Sequence, residues 1–238
     1  MKLREGIHLV GSGEIGLSDS WDCHVYALTR GGAITLIDAG GGRPLSFERI
    51  EAALRADGLD PARIGDVVLT HWHKDHAGGA AGWRARTGAR VWLNAIEQPL
   101  LAGCAWACPI DATPEHGAVI ETAAARLRVI QVPSHSEGIC AYLWEREDGY
   151  RALFSGDIVF AHGLLGLINY AGSTLEGYRA NLGRLAGLNV EGLFPGHLLY
   201  QVRGGQRPID LALERLKGGF VPPSIGQSEI TLIAPADY

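Results

Sequence analysis

Apolar and polar positions alternate along this chain in short blocks separated by glycine, proline and acidic turns. Cys23–Thr29 and Ala33–Ile37 are apolar runs joined through Gly31-Gly32, which predicts two strands in a hairpin. From Ser46 to Ala56 the period changes, with Phe47, Ile50 and Leu54 recurring at helical spacing. Ser46 is the expected N-cap and Gly58 lies just past the expected end. Val67–Thr70 reads as a short buried strand, Gly79–Thr87 as a helix and Arg90–Leu93 as another strand. Ala95–Ala107 reads as a helix interrupted by Pro99, and Cys108–Ala118 as a loop.

Beyond this point Leu127–Val132, Ile139–Trp144 and Arg151–Phe154 read as successive strands, with a turn at Glu147-Asp148-Gly149. Thr174–Ala186 is the expected next helix, carrying Leu175, Tyr178, Leu182 and Leu185 on one face. A strand at Val190–Phe194 and a helix at Ile209–Leu216 follow. Strands and helices alternating through short connections imply a layered α/β architecture. The chain has 238 residues, 47% of them apolar, with no low-complexity tract or charged linker. We therefore expect a single domain over residues 1–238, with a short C-terminal tail at 218–238. In that tail Pro222, Pro223 and Pro235 surround Ile230-Thr231-Leu232-Ile233; it is expected to pack as an ordered tail on its own domain, with an added edge strand or a partner contact as the alternatives.

The formal charge of −5 argues against a general nucleic-acid surface. The N-terminal residues lack the apolar core of a signal segment, and no window is long enough for a membrane span. The expectation is a cytoplasmic protein with a small-molecule substrate, no nucleic-acid partner and no membrane association. The pattern leaves oligomeric state unspecified. Four cysteines, at 23, 104, 108 and 140, fit reduced and mostly buried thiols. Cys104 and Cys108 are four residues apart, so a helix would place them on one face, either as packing or as a further metal or redox pair.

The chemistry concentrates in Thr70-His71-Trp72-His73-Lys74-Asp75-His76-Ala77-Gly78-Gly79, where three imidazoles and a carboxylate crowd six consecutive positions behind an apolar run. Imidazole and carboxylate are ligands suited to zinc. Four such groups are more than a mononuclear site needs from one segment, so the stretch reads as half of a two-metal site of the hydrolytic type. His135, Asp157 and His197 each follow an apolar run and adjoin Gly, Pro or Ser, as ligands at strand ends do.

This ordered set, His-x-His-x-Asp-His followed by His, Asp and His, resembles the metallo-β-lactamase superfamily. Leu36-Ile37-Asp38-Ala39-Gly40, Ser155-Gly156-Asp157 and Pro195-Gly196-His197 are similar to further stretches of that family. The resemblance implies a four-layer αββα sandwich with metals at one edge. It also implies two divalent metal ions, foremost zinc, although iron and manganese accept the same donors. His71, His73 and His135 would hold the first ion, Asp75, His76 and His197 the second, and Asp157 would bridge them. The implied reaction is attack by a metal-bridging hydroxide on a thioester, lactone or ester carbonyl, with Asp75 and Asp157 in catalytic roles. The bridging Asp157 is similar to hydroxyacylglutathione hydrolases and lactonases rather than to true β-lactamases. The stretch after His197 carries little of the basic pattern that the former use for glutathione.

Two alternatives within the fold stay open. Persulfide dioxygenases use one iron, which would map to His71, His135 and Asp157; phosphodiesterases and nucleases share the two-metal set. Around the centre, Asp38 is a candidate acceptor orienting a ligand imidazole, or a local turn residue. Tyr170, by resemblance to lactonases, and His162 are candidate substrate contacts, with surface roles as the alternative. Asp22 and His24 flank an early strand and are expected to be structural, with a reach to the pocket as the alternative, and Lys74 is expected to face solvent.

Overall fold

A computed structural model of the chain describes residues 1–225. The expected element at Ile230–Ile233 lies outside the described residues. The chain divides into two compact units, the first spanning Met1–Val129 and the second beginning at Ile130.

The first unit is built on a six-stranded sheet of order β1-β2-β3-β4-β5-β6. Its strands are β1 (Lys2–Arg4), β2 (Ile7–Gly11), β3 (Val25–Arg30), β4 (Ala33–Ile37), β5 (Ile64–Val68) and β6 (Arg90–Trp92). The first four pair antiparallel, whereas β4, β5 and β6 run parallel. Parallel neighbours need long crossovers. Helix α1 (Pro44–Ala56) supplies the first, and α2 (Lys74–Ala77) with α3 (Ala80–Thr87) the second. Phe47, Ile50 and Leu54 on α1 are buried as the periodicity requires, and Phe47 meets Trp83 edge-on at 5.1 Å between ring centroids. The expected Ser46 N-cap is displaced. Proline at the first turn starts the helix two residues earlier, and the buried Ser46 hydroxyl donates instead to Asp22 Oδ1 at 2.7 Å. Pro99 likewise begins rather than interrupts its helix: α4 is Gln98–Ala102 only, so Cys104 and Cys108 lie beyond it.

The second sheet has the order β11-β10-β9-β8-β7. It comprises β7 (Val119–Glu121), β8 (Arg126–Gln131), β9 (Cys140–Glu145), β10 (Arg151–Gly156) and β11 (Gly192–Pro195), and the unit boundary falls inside β8. Strands β10 and β11 are parallel, with Gly156 opposite Pro195, so the chain leaves both strands side by side at Asp157 and Gly196. Helix α5 (Leu175–Asn181) is capped by Thr174, whose side chain accepts from Gly177 N, and it runs on into a 3-10 turn at Leu182–Leu185. Helix α6 (Gln206–Lys217) follows β11. Each unit has its own apolar core. Val25, Leu36, Ile50, Val67 and Trp83 belong to the first, and Val132, Leu143, Leu153, Tyr178 and Ile209 to the second.

Candidate metal centre

In the first unit the parallel register of β4 on β5 sets Ile37 opposite Val68, and Asp38 N donates to the Val68 carbonyl at 3.0 Å. The chain then leaves β5 through Leu69 and Thr70 and delivers His71, Trp72 and His73. A single helical turn, α2, carries Asp75 and His76. His71 and His76 are fully buried, and their rings lie 4.1 Å apart between centroids. His71 Nε2 is 2.9 Å from His73 Nδ1, and His76 Nε2 is 3.3 Å from Asp75 Oδ2. Lys74, between them in sequence, is exposed, with its ammonium 5.7 Å from the Trp106 ring centre.

Asp38 organises this cluster. Its Oδ1 accepts from Thr70 N at 2.8 Å, and both of its oxygens lie 3.0 Å from the Thr70 hydroxyl. A carboxylate only accepts, so the single Thr70 hydroxyl proton goes to Asp38. Thr70 Oγ1 must then accept from His71 Nδ1, 3.0 Å away. Asp38 Oδ2 also accepts from His76 Nδ1 at 2.9 Å. Both imidazoles are thereby protonated on Nδ1, and both keep the Nε2 lone pair. Asp38 adopts φ 61°, a left-handed conformation uncommon outside glycine but accessible to Asp. Close backbone approach makes the contact possible: Ala39 N donates to the His76 carbonyl at 2.7 Å and Gly79 N to the Gly40 carbonyl at 2.8 Å. A Cβ on Gly79 would overlap the Ala39 carbonyl oxygen.

Cys23 Sγ also lies within 4.8 Å of the ligand-type atoms of Asp38 and His76. Burial pushes this thiol far above its ordinary range, against the lowering pull of His76, so Cys23 is a neutral neighbour of the ring. The backbone between the two leading histidines is held at both poles. Trp72 N donates to the buried Glu97 carboxylate at 3.0 Å, and the Trp72 carbonyl accepts from Trp106 Nε1 at 3.2 Å.

In the second unit His135 follows β8 in a tight turn where Ser134 Oγ donates to the Val132 carbonyl at 2.7 Å. His135 is buried, and its Nδ1 donates to the Gly166 carbonyl at 2.5 Å, which again leaves Nε2 with the lone pair. Asp157 Oδ2 lies 3.6 Å from His135 Nε2 and 3.6 Å from His197 Nε2. That is too long for a hydrogen bond and close to the spacing of two donors on one small cation. The Asp157 carbonyl accepts from Tyr178 Oη at 3.2 Å, and burial pushes that phenol well above its ordinary range, so it remains a neutral donor. A Cβ on Gly166 would overlap the Asp157 carbonyl oxygen and press on His135 Nδ1, so only glycine fits.

Neutral imidazole nitrogens and carboxylate oxygens are the donors zinc takes. Two such nitrogens on one tetrahedral zinc stand about 3.3 Å apart, from Zn–N distances of about 2.0–2.1 Å. The His71–His73 separation of 2.9 Å is within a few tenths of that. Both units thus hold His/Asp groups that could bind a metal.

The sequence model for the metallo-beta-lactamase superfamily matches residues 19–197, a range containing every one of these groups. The chain belongs to the metallo-beta-lactamase superfamily. Members of this superfamily generally bind divalent metals, and the fold is its αββα sandwich. A metallo-beta-lactamase of Cronobacter sakazakii superposes with a TM-score of 0.71 at 20% identity, covering 92% of this chain and 96% of that one. BJP-1, a subclass B3 metallo-beta-lactamase of Bradyrhizobium japonicum, gives 0.70 at 21% identity, covering 92% and 91%. At such identities the likeness is one of fold alone.

Among curated superfamily relatives, thioesterase pkgB of Emericella nidulans is 31% identical over 174 residues, 73% of this chain and 45% of the relative. An atrochrysone carboxyl ACP thioesterase of Aspergillus fumigatus is 31% identical over 174 residues, 73% of this chain and 50% of the relative. A hydroxyacylglutathione hydrolase of Cupriavidus taiwanensis is 31% identical over 180 residues, 74% of this chain and 60% of the relative. The chain spans about half the length of the thioesterases it matches.

The remaining candidates are placed as follows. His162 is exposed in a 3-10 turn at Ala161–Gly163 with φ 60°, and its carbonyl accepts from Arg215 Nη1 at 3.2 Å. Tyr170 is exposed on the loop before α5. Asp22 is structural, accepting from Gly41 N at 2.7 Å as well as from Ser46. His24 is buried edge-on to Tyr26, with ring centroids 6.1 Å apart. Sequence reasoning missed Thr70, Glu97, Tyr178 and Gly166. The only forward signal among them is a threonine directly before the first histidine.

Proposed function

We propose that this chain is a metal-dependent hydrolase acting on thioesters, with lactones and activated esters as neighbouring substrates. In this reading the first unit's His71, His73, Asp75 and His76 and the second unit's His135, Asp157 and His197 together hold two divalent ions, zinc foremost. His71, His73 and His135 serve one ion, Asp75, His76 and His197 the other, and Asp157 serves both. The observation that carries the proposal is the fixed tautomer of three buried imidazoles. Asp38, Thr70 and the Gly166 carbonyl occupy the Nδ1 atoms of His76, His71 and His135, so each ring is preset to offer Nε2. Relatives named as thioesterases and as a hydroxyacylglutathione hydrolase support the choice of substrate class.

Bound divalent ions supply a nucleophilic water at neutral pH and polarise the carbonyl under attack. The protein's part is positional and protolytic. Asp38 and Thr70 hold two imidazoles in the donor state, and the Gly166 carbonyl does the same for His135. Asp75, partly exposed and beside His76, accepts the proton given up during attack. A thiolate leaving group, with a thiol pKa of about 8.5, departs without a general acid, whereas an amide nitrogen needs one. The proton that the assigned residues can offer a leaving group is the one Asp75 has just accepted, and a thiolate departs without waiting for it, so thioesters make the least demand on the site.

The test is one protein sample carried through metal quantification and a panel of thioester, lactone, β-lactam and phosphodiester. The expected outcome is about two zinc ions per chain, from the two-metal scheme, with the thioester turned over fastest. One iron per chain with thiol oxidation, or preferential phosphodiester cleavage, would overturn the reading.

A further inference from the structure

The second unit's ligand cluster depends on a piece of chain far from it in sequence. Gly166 supplies the carbonyl for His135, and Leu165, next to it, is fully buried. Leu165 is the middle rung of a miniature ladder. It bridges Val159 antiparallel on one side and Ser224 parallel on the other. Leu165 N donates to the Pro223 carbonyl at 2.9 Å, and Ile225 N donates to the Leu165 carbonyl at 3.0 Å. Val159 lies two residues after Asp157, so the ladder joins the segments bearing Asp157 and the His135 acceptor to Pro223–Ile225.

The sequence explains why the chain is extended there. Gly219 leaves the end of α6 with φ 79°, and Pro222-Pro223 disfavour further helix while presetting an extended course. Helix α6 holds the same loop at a second point: a Cβ on Gly163 would stand 3.1 Å from the Pro208 carbonyl oxygen and from Ala212 N, and Arg215 donates to the His162 carbonyl. Residues 158–166 are thus clamped at the turn by α6 and at the exit by the segment behind it.

We propose that Pro223–Ile225 is a positioning strap for the metal centre: by pairing with Leu165 it fixes the Gly166 carbonyl, and through it the tautomer and aim of His135. The inference rests on the assignment of His135 as a ligand. Both strap bonds are made by backbone groups, the Pro223 carbonyl and the Ile225 amide.

The experiment compares Ile225→Pro, which deletes the donated N–H, with Ile225→Ala, which keeps it, both in the full chain. The first readout is the His135 Nδ1 proton in the metal-free protein, observed by NMR as a slowly exchanging imidazole resonance. The second is zinc affinity by competition with a chromophoric chelator. Ile225→Pro should lose or broaden the His135 proton and weaken zinc binding about tenfold, the scale of one buried hydrogen bond broken with its acceptor stranded. Ile225→Ala should leave both unchanged, with circular dichroism native in both variants. An unaltered His135 proton and affinity in Ile225→Pro would overturn the strap, as would an equal loss in Ile225→Ala. If the wild-type chain binds no metal, the ligand assignment fails while the imidazole proton still decides the strap. If Ile225→Pro is not folded, semisynthetic protein carrying an ester in place of the Ile225 amide, which removes the same N–H with the side chain kept, is compared with wild type on the same two readouts.

Discussion

The two candidate ligand clusters are built on opposite plans. In the first unit four ligand-type groups come from six consecutive residues, and a side-chain carboxylate, Asp38, orients two of the rings. In the second unit three groups come from positions 135, 157 and 197, and the orienting acceptor is a main-chain carbonyl on Gly166. The first plan concentrates information in a motif and in one acidic residue that can be mutated. The second spreads it over strand ends whose nearness is a product of the sheet, and its acceptor has no side chain to remove. A carboxylate can be neutralised in place, whereas a carbonyl can only be moved.

The largest expected effect comes from His73→Ala. It deletes a proposed ligand of the compact cluster and should abolish thioester turnover while circular dichroism stays native; full activity would end the assignment. Next is Gly166→Ala, which attacks the dispersed cluster through its backbone. The added methyl overlaps the Asp157 carbonyl, so we expect a loss of about 2 kcal/mol or more in urea unfolding, together with weakened metal binding.

Smaller again is Asp38→Asn. Asn tolerates the positive φ, so the fold should persist, but its amide keeps one acceptor oxygen where the carboxylate has two, so it cannot accept from Thr70 and from His76 Nδ1 at once. Metal affinity should fall by about 10–100-fold in chelator competition. Thr70→Val should show a smaller loss confined to His71, because His76 keeps its direct bond to Asp38. If Asp38→Asn leaves affinity unchanged while Gly166→Ala reduces it, the contrast between the clusters is wrong in the first unit and right in the second.

Much of this was legible in the sequence for physical reasons that also mark its limits. The seven candidate ligands could be named because imidazole and carboxylate are scarce types and their spacing is unusual. Asp38 stood out because it ends an apolar strand in a glycine turn. Thr70 and Gly166 did not, because a hydroxyl relaying a proton and a carbonyl accepting one look like any other threonine and glycine until the chain is folded. Strand β1, Lys2–Arg4, is a polar, partly exposed edge with no apolar alternation to betray it. Strand β2 is buried at every position, so its run Ile7–Gly11 shows no period of two. The helix expected over Ala95–Ala107 shrank because Pro99 belongs in a first turn, and the partly buried Cys104 and Cys108 pack against the first core from irregular chain.

The close approach of Ala39 and Gly40 to His76 and Gly79 also has a practical side. Two stretches of main chain there lie in direct van der Waals contact with no side chain between them, and their separation sets the reach of Asp38. Any bulk introduced at Gly79 would act as a shim, opening the gap and carrying the carboxylate away from the His76 ring. Libraries meant to redirect substrate choice should therefore leave this seam fixed and place their diversity elsewhere.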